Sequence, residues 1–197
     1  EAVDPASPRI HLTTFGYTWE GRALALAVAG AADASPRAVR ASGKTVVYLQ
    51  GDIHAGEVEG KEALQEIPRD IARGRHPEWT QSLVLLVAPI FIPDGNERIA
   101  LGNRPGQHGP IAGMGTRANG QNLNINRDFS KLDTPEAGSQ ALLMQEYDPH
   151  VAIDLHTTNG TYHAYQLTYA PPLNPNTDAA ILAMLRDQWL PALTPAA

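Results

Sequence analysis

An apolar run that ends in a glycine-containing turn constrains this chain more than any other stretch. Thr45 to Gln50 is rich in β-branched and aromatic residues, which predicts a strand, and Gly51 then opens a turn that carries His54 and Glu57. Helical periodicity begins directly after this turn. A strand, a turn and a helix in this order are typical of open α/β sheets, which bind ligands at the carboxyl ends of their strands.

The other apolar segments fit the same α/β class. Further strands are predicted from Arg22 to Val28, from Leu83 to Pro89, from His150 to His156 and, more weakly, from Tyr162 to Leu167. The runs at 83–89 and 150–156 are typical of strands buried on both faces of a sheet. Helices are predicted from about Gly56 to Arg73 with a bend at Pro68, from a Thr134 cap to Tyr147, and from a Thr177 cap to Leu190.

Composition excludes several classes of function. A chain of 197 residues with 43% apolar content is expected to close one core, as a single domain over residues 1–197. The net charge of −6 and the scattered basic residues predict no nucleic-acid or anionic-membrane partner. No apolar run is long enough to span a membrane, and a first residue that is Glu rather than Met is compatible with a processed, secreted or periplasmic protein. No pattern indicates the oligomeric state.

His54, Glu57 and His156 form the candidate site. The chain has no cysteine, so a metal would be held by imidazoles and carboxylates. Two histidines and one acid with an open fourth position are the ligand set of hydrolytic zinc sites, where the metal polarises a carbonyl and acidifies its bound water. The segment with His54 and Glu57 and the segment with His156 both end apolar strands, so the three side chains can meet at one edge of a sheet. The alternative is that each histidine is an ordinary strand-end residue, and Asp154 is either an orienting partner of His156 or a solvated acid.

Five segments, in order, resemble those of one enzyme family. Phe15 to Arg22 resembles "S-x-E-G-R" with Thr18 for Ser, Ile92 to Gly95 resembles "N-P-D-G" with Ile for Asn, and Asn124 to Phe129 resembles "D-x-N-R-N-F". The other two segments are Gly51 to Glu57 and Asp154 to His156. Over residues 15–156 the chain therefore resembles the N-terminal part of the zinc carboxypeptidases, the carboxypeptidase A-like (M14) peptidases.

This resemblance implies a fold and a set of roles. The fold is a three-layer sandwich with a central mixed, mostly parallel sheet and helices on both faces. His54, Glu57 and His156 would bind one zinc ion, and Asn126 and Arg127 would hold the terminal carboxylate of the substrate. An arginine from the glycine-rich segment Pro93 to Gln121 would stabilise the developing oxyanion. Approximate spacing favours Arg104 for this role over Arg98 and Arg117.

The chain departs from the family pattern in two respects. Asn124 stands where the family commonly has an aspartate that orients the first zinc histidine, so this contact is expected to be neutral or to come from elsewhere. The general-base glutamate of the family follows the third ligand, yet the last glutamate here is Glu146. Tyr162, Tyr165 and Tyr169 come too early to match the family tyrosine that closes on substrate. We therefore expect a C-terminally truncated catalytic domain.

The resemblance implies a zinc metallocarboxypeptidase that hydrolyses the C-terminal bond of a peptide. Two alternatives remain open. Asp154 to Thr158 resembles the "D-L-H-x-T-T" of zinc deacylases that act on N-acyl amino acids, the aspartoacylase and succinylglutamate desuccinylase type. A non-catalytic metal-binding module that captures C-terminal carboxylates is the other.

Overall fold

The computed structural model describes residues 7–158, 160–165 and 167–194. Residues up to Gly160 form one compact unit, and those from Thr161 onward form a second. The expected single domain over residues 1–197 stays a prediction. Among the described residues, no helix combines the length and apolar character that crossing a membrane requires.

The first unit is built on a five-stranded sheet. Its strands are β1 (Ile10–Tyr17), β2 (Ala23–Ala29), β3 (Thr45–Gly51), β4 (Leu83–Ala88) and β5 (Val151–Leu155). Their spatial order is β1-β2-β4-β3-β5; β2 pairs antiparallel with β1 and β4, whereas β3 pairs parallel with β4 and β5. Four of these five strands therefore run in one direction and β2 runs against them, which confirms the mixed, mostly parallel sheet.

Helices cover both faces of this sheet. They are α1 (Pro36–Ala41), α2 (Val58–Ala72), α3 (Pro77–Ser82), α4 (Pro93–Glu97), a 3-10 turn (Ile125–Arg127) and α5 (Pro135–Tyr147). Leu64 and Ile71 of α2 share a buried cluster with Leu85 of β4, while Leu143 of α5 shares another with Leu86. Successive residues of a strand point to opposite faces, so β4 is buried between two helical layers, as the sequence predicted.

Several predicted helix features are borne out in detail. The hydroxyl of Thr134 accepts a hydrogen bond from the Ala137 amide at 3.3 Å, and Pro135 opens α5 as expected. Helix α2 continues through the buried Pro68 to Ala72, and the bend expected at Pro68 stays a prediction. Sequence reasoning missed β1, α1, α3 and the short α4.

The expectation that β5 is buried on both faces is wrong. Ile153 is 46% exposed, because within the described sheet β5 is an edge strand that pairs with β3 alone. Being at the edge leaves one side of the strand open to solvent.

The second unit is irregular up to its helical end. That end consists of α6 (Ala179–Met184), a π-helical turn (Leu185–Trp189) and α7 (Leu190–Leu193). Asp178, rather than the predicted Thr177, caps α6 by accepting from the Ala180 amide at 2.8 Å. The weaker strand prediction over 162–167 is also wrong for the residues described there. Tyr162 is 91% exposed, and no described strand lies in this unit to pair with it; Gln166 falls outside the described residues.

Candidate metal centre

The turn between β3 and α2, residues 52–57, is held in one conformation by backbone geometry and burial; we call it the metal loop. Asp52 and Gly56 both have positive φ angles, of 53° and 99°. Ile53 and Ala55 are fully buried and anchor the turn in an apolar cluster. The two predicted ligands of the loop are therefore presented from a rigid backbone at the carboxyl end of a central strand.

The structure brings His54, Glu57 and His156 together. Their ligand atoms lie within 4.8 Å of one another, although about a hundred residues separate the loop from the end of β5. His54 and Glu57 are each about 1% exposed, whereas the side chain of His156 is 35% exposed. The two imidazole rings meet edge to face with centroids 5.3 Å apart. One side of the cluster is thus buried and the other is open to solvent.

Hydrogen bonds fix which nitrogen of His54 faces the cluster. Oδ1 of Asn124 accepts from the Asn126 amide at 3.1 Å, so this atom is the oxygen of the side-chain amide. Nε2 of His54 lies 3.1 Å from the same oxygen and must donate to it. Nδ1 of His54 then lies 3.0 Å from Oε1 of Glu57. A lone pair and a carboxylate face each other at this distance only when a proton or a cation lies between them.

A carboxylate orients His156. Nδ1 of this ring lies 3.2 Å from Oδ2 of Asp154, and the hydrogen bond raises the pKa of the imidazole. Nε2 accepts from Nδ2 of Asn126 at 3.2 Å. An acid that receives one ring N–H directs the other nitrogen, which is the usual support of a metal-binding histidine. The first of the two roles considered for Asp154 is therefore the one its geometry fits.

The donor set suits zinc. Zinc takes nitrogen and carboxylate ligands at about 2.0–2.2 Å in a tetrahedron, which places its ligand atoms roughly 3.4 Å apart. The ligand atoms of the cluster lie within 4.8 Å of one another, so they are close enough to share one ion. Three protein ligands leave one position for water or substrate, as in catalytic rather than structural sites.

Two arginines approach the same oxygen of Glu57. Nη2 of Arg104 lies 2.8 Å from Oε1, and Nη1 of Arg117 lies 3.7 Å from it. Burial raises the pKa of Glu57, but the contacts with His54 and Arg104 outweigh it and hold the pKa below its ordinary value. Arg98 lies elsewhere, in an ion pair with Glu20. The structure therefore reduces the three candidate arginines to two.

Asn126 and Arg127 lie at the open side of the cluster. Arg127 is exposed, and its Nη1 donates to the carbonyl of Asn126 at 2.8 Å. The two nearest acids in the sequence have other partners. Asp128 accepts from the amide and hydroxyl of Thr134 at 2.8 and 2.7 Å, and Asp133 lies 3.5 Å from Lys131.

Two of the five resembling segments have a structural role. Asp94, which is fully buried, accepts from the Thr18 hydroxyl at 2.7 Å, from Arg22 Nη1 at 2.8 Å and from the Glu20 amide at 3.1 Å. The "S-x-E-G-R" and "P-D-G" segments thus meet each other and not the metal ligands. The carboxylate of Asp94 therefore connects α4 to the turn between β1 and β2.

Sequence reasoning missed Asp52. This side chain is fully buried, and neither of its carboxylate oxygens has a hydrogen-bond partner among the described residues. Burial raises its pKa to about 7. Its position in the turn, two residues before a candidate ligand, was the available signal.

Comparison with known families agrees with this geometry. A model of the zinc carboxypeptidase family, Peptidase_M14, matches residues 2–175. The chain belongs to the zinc carboxypeptidase family. A search of curated protein sequences finds no match.

Solved structures of carboxypeptidases share the fold. A candidate carboxypeptidase A from Shewanella denitrificans OS-217 matches with a TM-score of 0.72 and 20% identity, over 98% of this chain and 46% of that one. A metallo-carboxypeptidase from Burkholderia cenocepacia matches with a TM-score of 0.61 and 18% identity, over 80% and 39% of the two chains. The chain thus spans less than half the length of these structures.

Proposed function

We propose that this chain carries the zinc site of a metallocarboxypeptidase that releases the C-terminal residue of peptides. The observation that supports this most directly is the pairing of Nδ1 of His54 with Oε1 of Glu57 at 3.0 Å, beside His156. Family membership makes zinc the expected ion. When bound, zinc would polarise the scissile carbonyl and lower the pKa of a water ligand.

The residues of the chain then bind and orient the substrate. Arg127 is exposed at the open side of the cluster, where its guanidinium can form two charge-assisted hydrogen bonds to a terminal carboxylate. Asn126 lies between Arg127 and His156 and would donate its side-chain amide to the same group. Together they would select a free C-terminus and place the last peptide bond next to the zinc ligands.

Arg104 is our assignment for the donor to the carbonyl oxygen. Its side chain is only 7% exposed, and contacts to Glu57 and Gln107 at 2.8 and 2.9 Å fix its guanidinium. A buried and preorganised cation stabilises developing negative charge more effectively than a mobile one. The general base is not assigned to any residue of this chain.

A zinc deacylase acting on N-acyl amino acids is the second candidate. The Asp154 to Thr158 segment favours it, since this segment resembles that of the deacylases and supplies both the His156 ligand and its orienting acid. Arg127 would hold the carboxylate of an acyl amino acid as readily as that of a peptide.

Elemental analysis and a substrate panel test these proposals. We expect one zinc per chain and, from the full-length protein, release of C-terminal residues from peptides of four or more residues. Release from N-acyl amino acids alone would favour the deacylase. Stoichiometric zinc and peptide binding without turnover would favour the non-catalytic module, and loss of zinc binding only when residues outside the cluster are changed would refute all three.

A separate experiment tests the proposed binding of the terminal carboxylate by Asn126 and Arg127. Replacing Arg127 with Ala removes a charge-assisted pair and should raise the KM for peptides about 10- to 100-fold, with a smaller effect on kcat. Arg98→Ala is the matched control because Arg98 is an exposed arginine outside the cluster. An unchanged KM in Arg127→Ala would show that another group binds the terminal carboxylate.

A further inference from the structure

A cavity of about 250 Å³ opens at the end of the sheet opposite to the metal centre. Strand β3 carries the metal loop at its carboxyl end, whereas Lys44, a residue of the cavity wall, directly precedes its first residue. The seven residues of this strand span roughly 20 Å, so the cavity is remote from the proposed zinc ligands. Its wall includes Arg9, Ile71, Gly74 and Arg75.

The backbone around this cavity is closely packed. Gly30, another wall residue, has a φ angle of 87°, and a Cβ atom there would lie 2.3 Å from the carbonyl oxygen of Leu83. The chain after β2 is therefore in direct contact with the start of β4. His76, between two wall residues, stacks on Trp79 with ring centroids 4.1 Å apart. Ile71 is 2% exposed and belongs to the core cluster under α2, so the cavity is a fixed part of the fold.

Lys44 places a fixed ammonium group in the wall. Its Nζ donates to the carbonyls of Gly30 and Thr80 at 2.8 and 2.6 Å, which leaves one of its three N–H groups for another acceptor. Within the described part of the chain, no carboxylate forms an ion pair with this lysine. A carbonyl group carries no net charge, so the positive charge of the ammonium remains available to an anion.

Arg9 and Arg75 are the exposed cations of the wall. A Cβ atom on Gly74 would lie between 3.7 and 3.9 Å from Nη1, Nη2 and Cζ of Arg9, so this guanidinium packs flat against the glycine. Nη1 of Arg9 also donates to the carbonyl of Ala72 at 3.4 Å. The side chain of Arg75 is 54% exposed and forms an ion pair with Asp70. A guanidinium has five N–H groups, so both arginines retain donors for a ligand.

The charges of the wall do not balance. Arg9, Lys44 and Arg75 supply three positive charges and Asp70 supplies one negative charge, which leaves a net positive charge of two on a chain whose overall charge is −6. A phosphate monoester carries about 1.5 to 2 negative charges at neutral pH, whereas a carboxylate carries one. Arginine binds phosphate through two parallel hydrogen bonds, and lysine binds it as a point charge. A phosphate monoester therefore matches this wall better than a carboxylate does.

We propose that this cavity is a second ligand site, which binds a small phosphate monoester through Arg9, Lys44 and Arg75. A volume of about 250 Å³ lies just below the range of roughly 300–1,000 Å³ that is typical of sites for drug-sized ligands, so it suits a phosphate group with a small organic part. The site is separate from the metal centre, and the proposal does not depend on the peptidase function.

Calorimetric titration with phenyl phosphate, phenyl sulfate and benzoate at pH 7.5 and low salt tests the proposal. We expect one phenyl phosphate per chain, with a Kd about tenfold lower than those of the two singly charged probes, because the second charge finds a second cation. Equal dissociation constants for the three probes, or no binding, would overturn the proposal. Vesicles of phosphatidylcholine with phosphatidic acid test the lipid source of the same group: binding to these vesicles without binding of phenyl phosphate would reject the small ligand.

Charge variants of the wall should shift the Kd in both directions. Arg9→Gln and Arg75→Gln each remove a cation and should weaken phenyl phosphate binding about 5- to 10-fold, whereas Asp70→Asn removes the one acid and should strengthen it. Arg98→Gln is the matched control, because Arg98 is also an exposed arginine in an ion pair with an acid, and its Kd should not change. Urea denaturation of each variant separates a loss of binding from a loss of folding. An unchanged Kd in both wall arginine variants would contradict the proposal.

Arg127→Ala distinguishes this cavity from the metal centre, where a phosphate could bind to zinc or to Arg127. We expect the variant to retain the Kd for phenyl phosphate. If Arg127→Ala abolishes binding while Arg9→Gln retains it, the phosphate binds at the metal centre and the proposal is wrong. If peptides are not hydrolysed but phenyl phosphate binds as expected, the proposed peptidase function fails and this site stands.

Discussion

Replacing Asn124 with Asp should tighten zinc binding. In the protein, Oδ1 of Asn124 accepts the Nε2 proton of His54 at 3.1 Å, so a neutral amide orients the first imidazole ligand. A carboxylate at the same position is nearly isosteric and would make a charge-assisted bond, which is roughly twice as strong as a neutral one. It would also make the opposite ring nitrogen a better donor to the metal.

The expected size of the effect follows from this contact. Changes in the partners of metal ligands typically alter metal affinity by about 10- to 100-fold. The side chain keeps its second task, because an Asp oxygen can still accept the Asn126 amide now bonded at 3.1 Å. With the geometry retained, we expect a zinc Kd about tenfold lower, or about 1.4 kcal/mol of binding free energy.

Competition with a fluorescent zinc chelator at neutral pH measures this Kd. Asn124→Ala loses both the contact to His54 and the cap of the 3-10 turn, and should weaken binding. Asp154→Asn is a matched control at His156, where a carboxylate is exchanged for an amide and zinc should bind less tightly. An Asn124→Asp variant with unchanged or weaker zinc affinity would refute the view that His54 binds metal through Nδ1.

Two further predictions concern stability. Asp94→Ala should lower the free energy of unfolding by about 3 kcal/mol, because it leaves the buried hydroxyl of Thr18 without its acceptor and removes one of the two carboxylate partners of Arg22; urea denaturation measures this loss. Burial raises the pKa of Asp128, but the hydrogen bonds from Thr134 and the Asp133 amide together outweigh it and hold the pKa below its ordinary value. Its stabilisation is therefore complete above the unfolded-state pKa and is lost as the pH falls through the folded-state pKa. The stability difference between the wild type and Asp128→Asn, compared at pH 7 and pH 3, should shrink on acidification; a constant difference would contradict the assignment.

Elements whose own residues encode their burial could be predicted from the sequence. Strand β4 is a continuous apolar run and α5 begins with a cap and a proline, so both were predicted with nearly correct ends. Strand β1 alternates apolar residues with His11, Thr13 and Thr14, and its pairing with β2 reveals it as a strand. Helix α4 has the composition of a turn, Pro-Asp-Gly-Asn-Glu, and the contacts of Asp94 tie it to the turn between β1 and β2.

The candidate site also contains some residues whose positions could be predicted from the sequence and others whose positions could not. His54 and Glu57 lie on one short turn, so their proximity is local, and the sequence predicted it. The convergence with His156 followed from parallel strands ending at one edge, and the structure shows it. The arginines could not be predicted by this route, since residues 98–124 have no periodicity to reveal how they fold back. Spacing selected Arg104, whereas the structure places Arg117 at the same Glu57 oxygen.

The segments that carry the family resemblance are physically linked although only some of them bear candidate ligands. Asp94 fixes the start of α4, and the carbonyl of Gly95 then receives the Thr116 amide at 2.9 Å. Thr116 directly precedes Arg117, so the buried carboxylate of Asp94 helps to position, through the backbone of Gly95 and Thr116, an arginine that approaches Glu57. The metal ligands depend instead on the loop after β3 and the end of β5. Loss of Asp94 should therefore disturb the approach of Arg117 to Glu57 before it disturbs zinc binding by His54.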